Sequence, residues 1–273
     1  MSSAAAKTSN PFSALLPFAE LHDFKAADLA AAIGRLYPSA RLTGWGGAGE
    51  PMQGDRGILF SVNSVDIAVT NLKVAAPPEA FSGGNQPDFY WQHAKADIQQ
   101  HKSHMFVMEA AAGEISRSID RARTVTMVVD AISDLARPMG VMWINTKNLV
   151  CVDHFAKLMQ SFRANGAIPA GLWIRLLIAN VPAASAVAKA ETVAGTFGLQ
   201  LFDSPNIEIH STRLESADCL SAALSYAESK LATGQPTWNE ATTNIEDLAS
   251  FRIERLDSGL FGIGPVAKLT TTS

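Results

Sequence analysis

The apolar positions of this chain fall in short runs that switch between a helical period and a strand period. Lys25 to Tyr37 places Leu29, Ile33 and Leu36 at helical spacing and stops before Pro38, which predicts a helix. From Gly57 to Val74 the period drops to two. Ile58, Phe60 and Val62 alternate, then Val65, Ile67 and Val69, with Asn63-Ser64 between them, which predicts a hairpin. Asp88 to Ala112 joins a helix to a strand. Asp88 reads as the N-cap, and Tyr90, Trp91, Ala94, Ile98 and His101 recur on one helical face. Beyond Ser103, His104, Phe106, Met108 and Ala110 alternate with Met105, Val107 and Glu109. Both faces are largely apolar, as in an inner strand covered on two sides.

The later pattern continues the alternation of elements. Ile119, Ala122, Val125, Val129, Ile132 and Leu135 predict a long helix ending at Arg137-Pro138. Gly140 to Ile144 reads as a short buried strand, and Val152 to Phe162 as a helix closed by Asn165-Gly166. Strands are expected at Leu172 to Ala179, Asn206 to His210 and Phe251 to Leu256, and helices at Lys189 to Phe197 and Ser216 to Ala232. Interleaved helices and strands predict an α/β (α+β) fold, a mixed sheet with helices packed on it. One compact unit is expected over residues 25–258, with a sub-boundary near 165–170. Flexible tails are expected at 1–24 and 259–273.

Composition narrows the partners. Of 273 residues, 47% are hydrophobic and 18% charged, enough apolar surface for a packed core. The net charge of −4, without a basic run, removes the electrostatic footprint of nucleic-acid binding and of polybasic membrane attachment. The most apolar stretch, Ala167 to Ala184, is broken by Pro169, Arg175 and Pro182 and does not read as a membrane span. The N-terminus lacks a charged segment followed by a sustained apolar one, so no signal peptide is read there. Cys151 and Cys219 are far apart, with no CxxC, which reads as two reduced thiols in a cytoplasm.

Candidate chemistry gathers in a few places. His93, Asp97, His101 and His104 lie close enough in sequence to suggest a metal site, which needs three or four converging ligands. His101 and His104 straddle a helix-to-strand junction and no outside Cys or His cluster adds ligands, so a structural role is preferred and no cofactor is expected. GWGGAG (Gly44 to Gly49) has the letters of a dinucleotide fingerprint, but Glu50-Pro51 follows where a helix should open. GLFGIG (Gly259 to Gly264) fails in the same way before Pro265. Asp153-His154 beside Cys151 reads as a solvated helix face rather than a catalytic dyad. Glu208 and His210 share one strand face; with Arg175 they suggest a polar pocket, but an exposed sheet face is the preferred reading.

Several phrases in order carry a family resemblance: FSVNSVDIAVTNLKVAAPPEAF, a Trp-headed helix with HKSHMFVM, WINTKNLV, ETVAGTFGLQLFDSPNIEI and KLATGQPTW. Together, over about residues 40–258, they resemble an uncharacterised bacterial family, domain of unknown function 4261. The HKSH tetrad, Trp91, TVAGTFG and NIEI are the matching positions. The resemblance implies one α/β unit in a bacterial cytosol and brings no assigned activity, so no catalytic residue carries over.

These readings favour a non-catalytic, cytoplasmic binding protein whose partner is another protein, toxin-neutralising or secretion-associated. Trp45, Trp91, His101, His104 and Arg175 are its candidate contact residues. The alternatives are a metal-dependent hydrolase centred on His93, His101 and His104, and a small-anion sensor using Arg175.

Overall fold

The hairpin expected at Asn63-Ser64 forms, and its backbone shows why the strands pair tightly. Asn63 (φ 51°) and Ser64 (φ 66°) both take left-handed conformations, so Val62 faces Val65 across a two-residue turn. The computed structural model describes residues 8–54, 57–81, 89–183, 190–233, 242–245 and 249–272. The N-cap expected at Asp88 lies outside them. The chain divides into two compact units, one ending at Ala167 and the other continuing from Ile168. Each has its own sheet, where the sequence reads as a single one.

The first unit runs β1 (Thr8–Ser9), β2 (Ser13–Phe18), α1 (Ala26–Leu36), β3 (Leu42–Thr43), β4 (Met52–Gly54), β5 (Gly57–Val62) and β6 (Val65–Leu72). It continues through α2 (Ala94–Ile98), β7 (Ser103–Glu109), β8 (Gly113–Glu114), α3 (Ser118–Leu135), β9 (Gly140–Trp143), β10 (Asn148–Cys151) and α4 (Val152–Asn165). The sheet order is β10-β9-β2-β7-β6-β5-β3, with β4 also on β5; β1 and β8 form a separate pair. Neighbouring strands are antiparallel, and β9-β2-β7-β6 with α1 and α3 has the split β-α-β order.

Residues 1–24 were expected to be a tail, yet β2 lies inside this sheet between β9 and β7. Its sequence, SALLPF, is almost wholly buried, and an apolar run of that kind suits a strand covered on both faces. The Trp-headed helix is also shorter than its periodicity: only Ala94–Ile98 is helical, and Trp91 precedes it.

The inner face of the sheet carries Leu16, Phe18, Phe60, Ile67, Met105, Val107 and Trp143, all essentially inaccessible, beneath α1, α3 and α4. Tyr37, just past α1, donates a 2.5 Å hydrogen bond to Asp130 of α3. The outer face is covered over β2, β9 and β10 by α2 and the turn Pro78–Phe81, through Leu15, Phe81, Ile98, Met142 and Leu149.

The second unit comprises α5 (Ala170–Trp173), β11 (Arg175–Val181), β12 (Glu191–Phe197), β13 (Asn206–Ser211), α6 (Ser216–Thr233), β14 (Thr242–Ile245), β15 (Ala249–Leu256) and β16 (Val266–Thr271). Its sheet order is β11-β12-β13-β16-β15-β14, with β13 and β16 parallel and α6 crossing between them. Two segments of this unit differ from their sequence reading. Lys189 to Phe197 reads as a helix, but Glu191–Phe197 is strand β12, paired on both sides. Thr192, Val193 and Thr196 are β-branched and fit the pleat, and the pairing outweighs the helical spacing of the alanines. Residues 259–273 read as a tail, but β16 sits between β13 and β15 with Val266, Ala267 and Leu269 inaccessible.

Candidate functional site

The first unit holds a cleft of about 320 Å³ at the end of its sheet where β6 begins and β7 ends. Ser64, Val65 and Asp66 line one side; Ala111 to Glu114, Arg117 and Arg121 line the other, with Glu109 at the floor. Arg121 projects inward from the first turns of α3, and Glu109 projects inward from the last position of β7. The two are nearly buried and pair through both carboxylate oxygens, Nε to Oε1 at 2.5 Å and Nη2 to Oε2 at 2.7 Å. Arg121 Nη1 also donates to Ser9 Oγ at 2.6 Å, and the Phe12 N–H donates to Glu109 Oε2 at 3.1 Å. The floor of the cleft is therefore a fixed, charge-balanced pair.

Asp66 comes from the sheet's outer face and is held from two directions. The Gly46 N–H donates to its Oδ1 at 3.1 Å, and the Ser61 hydroxyl bonds the same oxygen. That first contact belongs to GWGGAG, which is a closed loop rather than a phosphate cradle. Gly44 N–H donates to Gly49 O at 2.8 Å, and Gly46, Gly47 and Gly49 all have positive φ, which side-chain-bearing residues rarely adopt. Trp45 stands at the surface of this loop, 36% exposed.

Beside Asp66, the outer face is most exposed over β4 and β5. Register places Met52 opposite Leu59, Leu59 opposite Ala68, and Ala68 opposite Met108. Met52 is 51% and Leu59 36% exposed, and Ala68 and Met108 are half-buried.

The histidine cluster does not converge. His101 is buried: Nδ1 donates to the Ile98 carbonyl, and Nε2 accepts the Ala76 N–H at 2.7 Å. Those partners assign a neutral ring with its proton on Nδ1. His104 Nδ1 donates to the Val74 carbonyl at 2.9 Å, and Asp97 accepts from the Trp91 indole at 2.6 Å. His93 is exposed at the start of α2. Among the described residues, no group of three or more His, Cys, Asp or Glu is arranged to hold a metal ion. The alternative ligand set of His93, Asp97, His101 and His104 is thus divided among separate contacts. His101→Ala is expected to lower stability by about 1–3 kcal/mol, because the buried Ala76 N–H loses its acceptor; urea titration of the variant checks this.

The other candidates are also drawn into the fold. Trp91 is half-buried, its ring filling the space that a side chain at Gly140 would occupy. Arg175 is 8% exposed at the start of edge strand β11. His154 stacks on Tyr90 at 4.3 Å, while Asp153 pairs with Arg137 at the surface, so the two do not form a dyad. Burial, with Lys157 adding to it, holds the His154 pKa below the ordinary histidine value. Cys219 is buried and free, and burial together with Asp218 pushes its thiol up to about 11, which leaves it protonated at neutral pH.

Glu208 and His210 correct the preferred reading of an exposed sheet face. Glu208 is fully buried on β13, and its two oxygens accept the N–H groups of Leu260 (3.0 Å) and Phe261 (3.1 Å). His210 Nε2 lies 3.3 Å from Glu208 Oε2; its Nδ1 lies 3.2 Å from Glu191 Oε2 without hydrogen-bond alignment. GLFGIG is therefore a strap across this face, clasped by Glu208.

The residues missed from sequence are Asp66, Glu109, Glu114, Arg117 and Arg121. One signal was present: Arg121 sits in the apolar stripe of α3 with Ala122 and Val125, and Glu109 continues the apolar face of Met105 and Val107. Opposite charges at core-facing positions of consecutive elements imply a pair.

No family model, curated protein or solved structure matches the chain. Among the described residues, no helix is long and apolar enough to cross a membrane.

Proposed function

We propose that this is a non-catalytic binding protein of the bacterial cytoplasm that takes a partner protein on the outer face of its first sheet. The observation that supports the reading is the row Met52–Leu59–Ala68–Met108, exposed at Met52 and Leu59 and half-buried at Ala68 and Met108, with exposed Trp45 on the neighbouring loop. A contiguous apolar strip rimmed by polar residues is the usual anatomy of a protein-binding face. Methionine adapts its shape to a partner, and an exposed tryptophan supplies an anchor. The partner segment suited to this strip presents apolar side chains along an extended or helical stretch. The resemblance to domain of unknown function 4261 belongs to the same proposal and adds no activity to it.

The alternatives carry less. Arg175 is nearly buried, which disfavours an anion anchor, and the histidine stretch is occupied by its own fold contacts.

A photocrosslinking residue at Leu59 tests the reading in cells. One adduct of defined mass is expected, lost when Met52→Glu is added and absent when the crosslinker is moved to exposed Lys157 on α4. Identical adducts from both positions, or an adduct indifferent to Met52→Glu, would overturn it. Met52→Glu itself is expected to shift stability by no more than about 0.5 kcal/mol, as for other surface changes.

A further inference from the structure

We infer that the cleft beside this face is a separate binding site for a small zwitterion. Five ionisable residues line the cleft: Asp66, Glu109, Glu114, Arg117 and Arg121. Glu109 and Arg121 neutralise each other at the floor. Asp66 is held only by neutral donors, the Ser61 hydroxyl and the Gly46 N–H. The Glu114 carboxylate receives only the Ser116 hydroxyl, at 3.4 Å. Arg117, at the cap of α3, has no carboxylate partner among the described residues. Two carboxylates and one guanidinium thus have no ion-pair partner among the described residues: Asp66 is half-buried on the outer sheet face, and Glu114 and Arg117 stand at the exposed rim.

The cleft is also built rather than accidental. Arg121 is fixed by Glu109, Ser9 and the carbonyls of Glu114 and Asn10, so the floor cannot swing out to meet a ligand. Gly113 lets β8 approach that floor, since a Cβ there would stand 2.7 Å from Arg121 Nε. Ala111 and Ala112 keep the wall small, and the remaining volume, about 320 Å³, is at the lower end of the range for small-molecule sites. A ligand completing this pattern sets a carboxylate against Arg117 and an ammonium against Glu114. An anion alone meets the Glu114 carboxylate, and a cation alone leaves Arg117 unmatched. The chemical class is therefore an amino acid, or another small molecule bearing one carboxylate and one amine.

Calorimetric titration of the full chain with 4-aminobutyrate and 6-aminohexanoate, with butyrate and butylamine as single-charge controls, tests the inference. The zwitterions are expected to bind more tightly than either control. Arg117→Gln and Glu114→Gln are each expected to weaken that binding about tenfold or more, the value of one charged hydrogen bond. Both residues are exposed, so the melting temperature should not move. Met52→Glu should leave the affinity unchanged, which separates this site from the apolar face. Equal binding of butyrate or butylamine, no binding of either zwitterion, or variants with unaltered affinity would each overturn the assignment.

Discussion

Arg121→Met is expected to destabilise the first unit by about 3–5 kcal/mol, the usual cost of removing one partner from a buried ion pair. The substitution keeps the volume and apolar stem of the side chain but strips Glu109 of its counter-charge at a position only 5% exposed. It also leaves Ser9 and the carbonyls of Asn10 and Glu114 without their donor, and removes the guanidinium 5.3 Å from the Phe12 ring. These contacts tie the start of the chain to α3, so the loss should appear first as hydrogen exchange in β2. Pairing Arg121→Met with Glu109→Leu should restore much of the stability, because two apolar groups replace two charges. Restoration should stop short of wild type by about 1–3 kcal/mol, since the buried Phe12 N–H still lacks its acceptor. Urea titration of the three variants decides the matter; a single variant as stable as wild type would show the pair to be of no consequence.

How much of this was legible depends on how local the determinants are. The turn at Asn63-Ser64, the cap at Gly166 (φ 71°) and the long stripe of α3 are set by neighbouring residues, and their sequences carry them. β12 was not legible because its strand state is imposed by β11 and β13, which lie before and after it in the chain. β2 and β16 were read as parts of tails for a related reason. Each is a short run near a terminus that gains meaning only from strands far away, β7 and β9 for one and β13 and β15 for the other. The cleft is less local still: Asp66 comes from a hairpin, Glu114 from a two-residue strand and Arg117 from a helix cap, with no spacing that unites them. Glu208 and His210 could be placed on one face by their separation of two. Whether that face was open depended on a strap more than forty residues later, as its contacts with Leu260 and Phe261 show.

That strap supports the second large prediction. Burial alone would raise the Glu208 pKa, but the hydrogen bond to His210 and the two strap N–H groups outweigh it and hold the carboxyl below the usual glutamate value. The sign follows from proton uptake. Unfolded glutamate titrates near about 4.3, while the folded group stays ionised to lower pH, so the unfolded chain binds the proton first as pH falls. The carboxylate's contribution is fully present above that value and is lost as pH drops through the folded pKa. Asp130 and Glu228 act in the opposite direction, because burial raises both, and their protonation favours the folded state on the same limb. Glu208 must therefore be isolated by comparison rather than read from the wild-type curve. Glu208→Ala is expected to cost about 3–5 kcal/mol at neutral pH, leaving two N–H groups and His210 without their acceptor. The difference between variant and wild type should shrink below about pH 4, where wild type also loses the charge. Limited proteolysis should cut the variant within residues 257–264 at neutral pH, since Glu208 is the clasp that holds Leu260 and Phe261 down. A stability difference that stays constant from neutral to acid pH would show that the carboxylate's charge plays no part in the clasp.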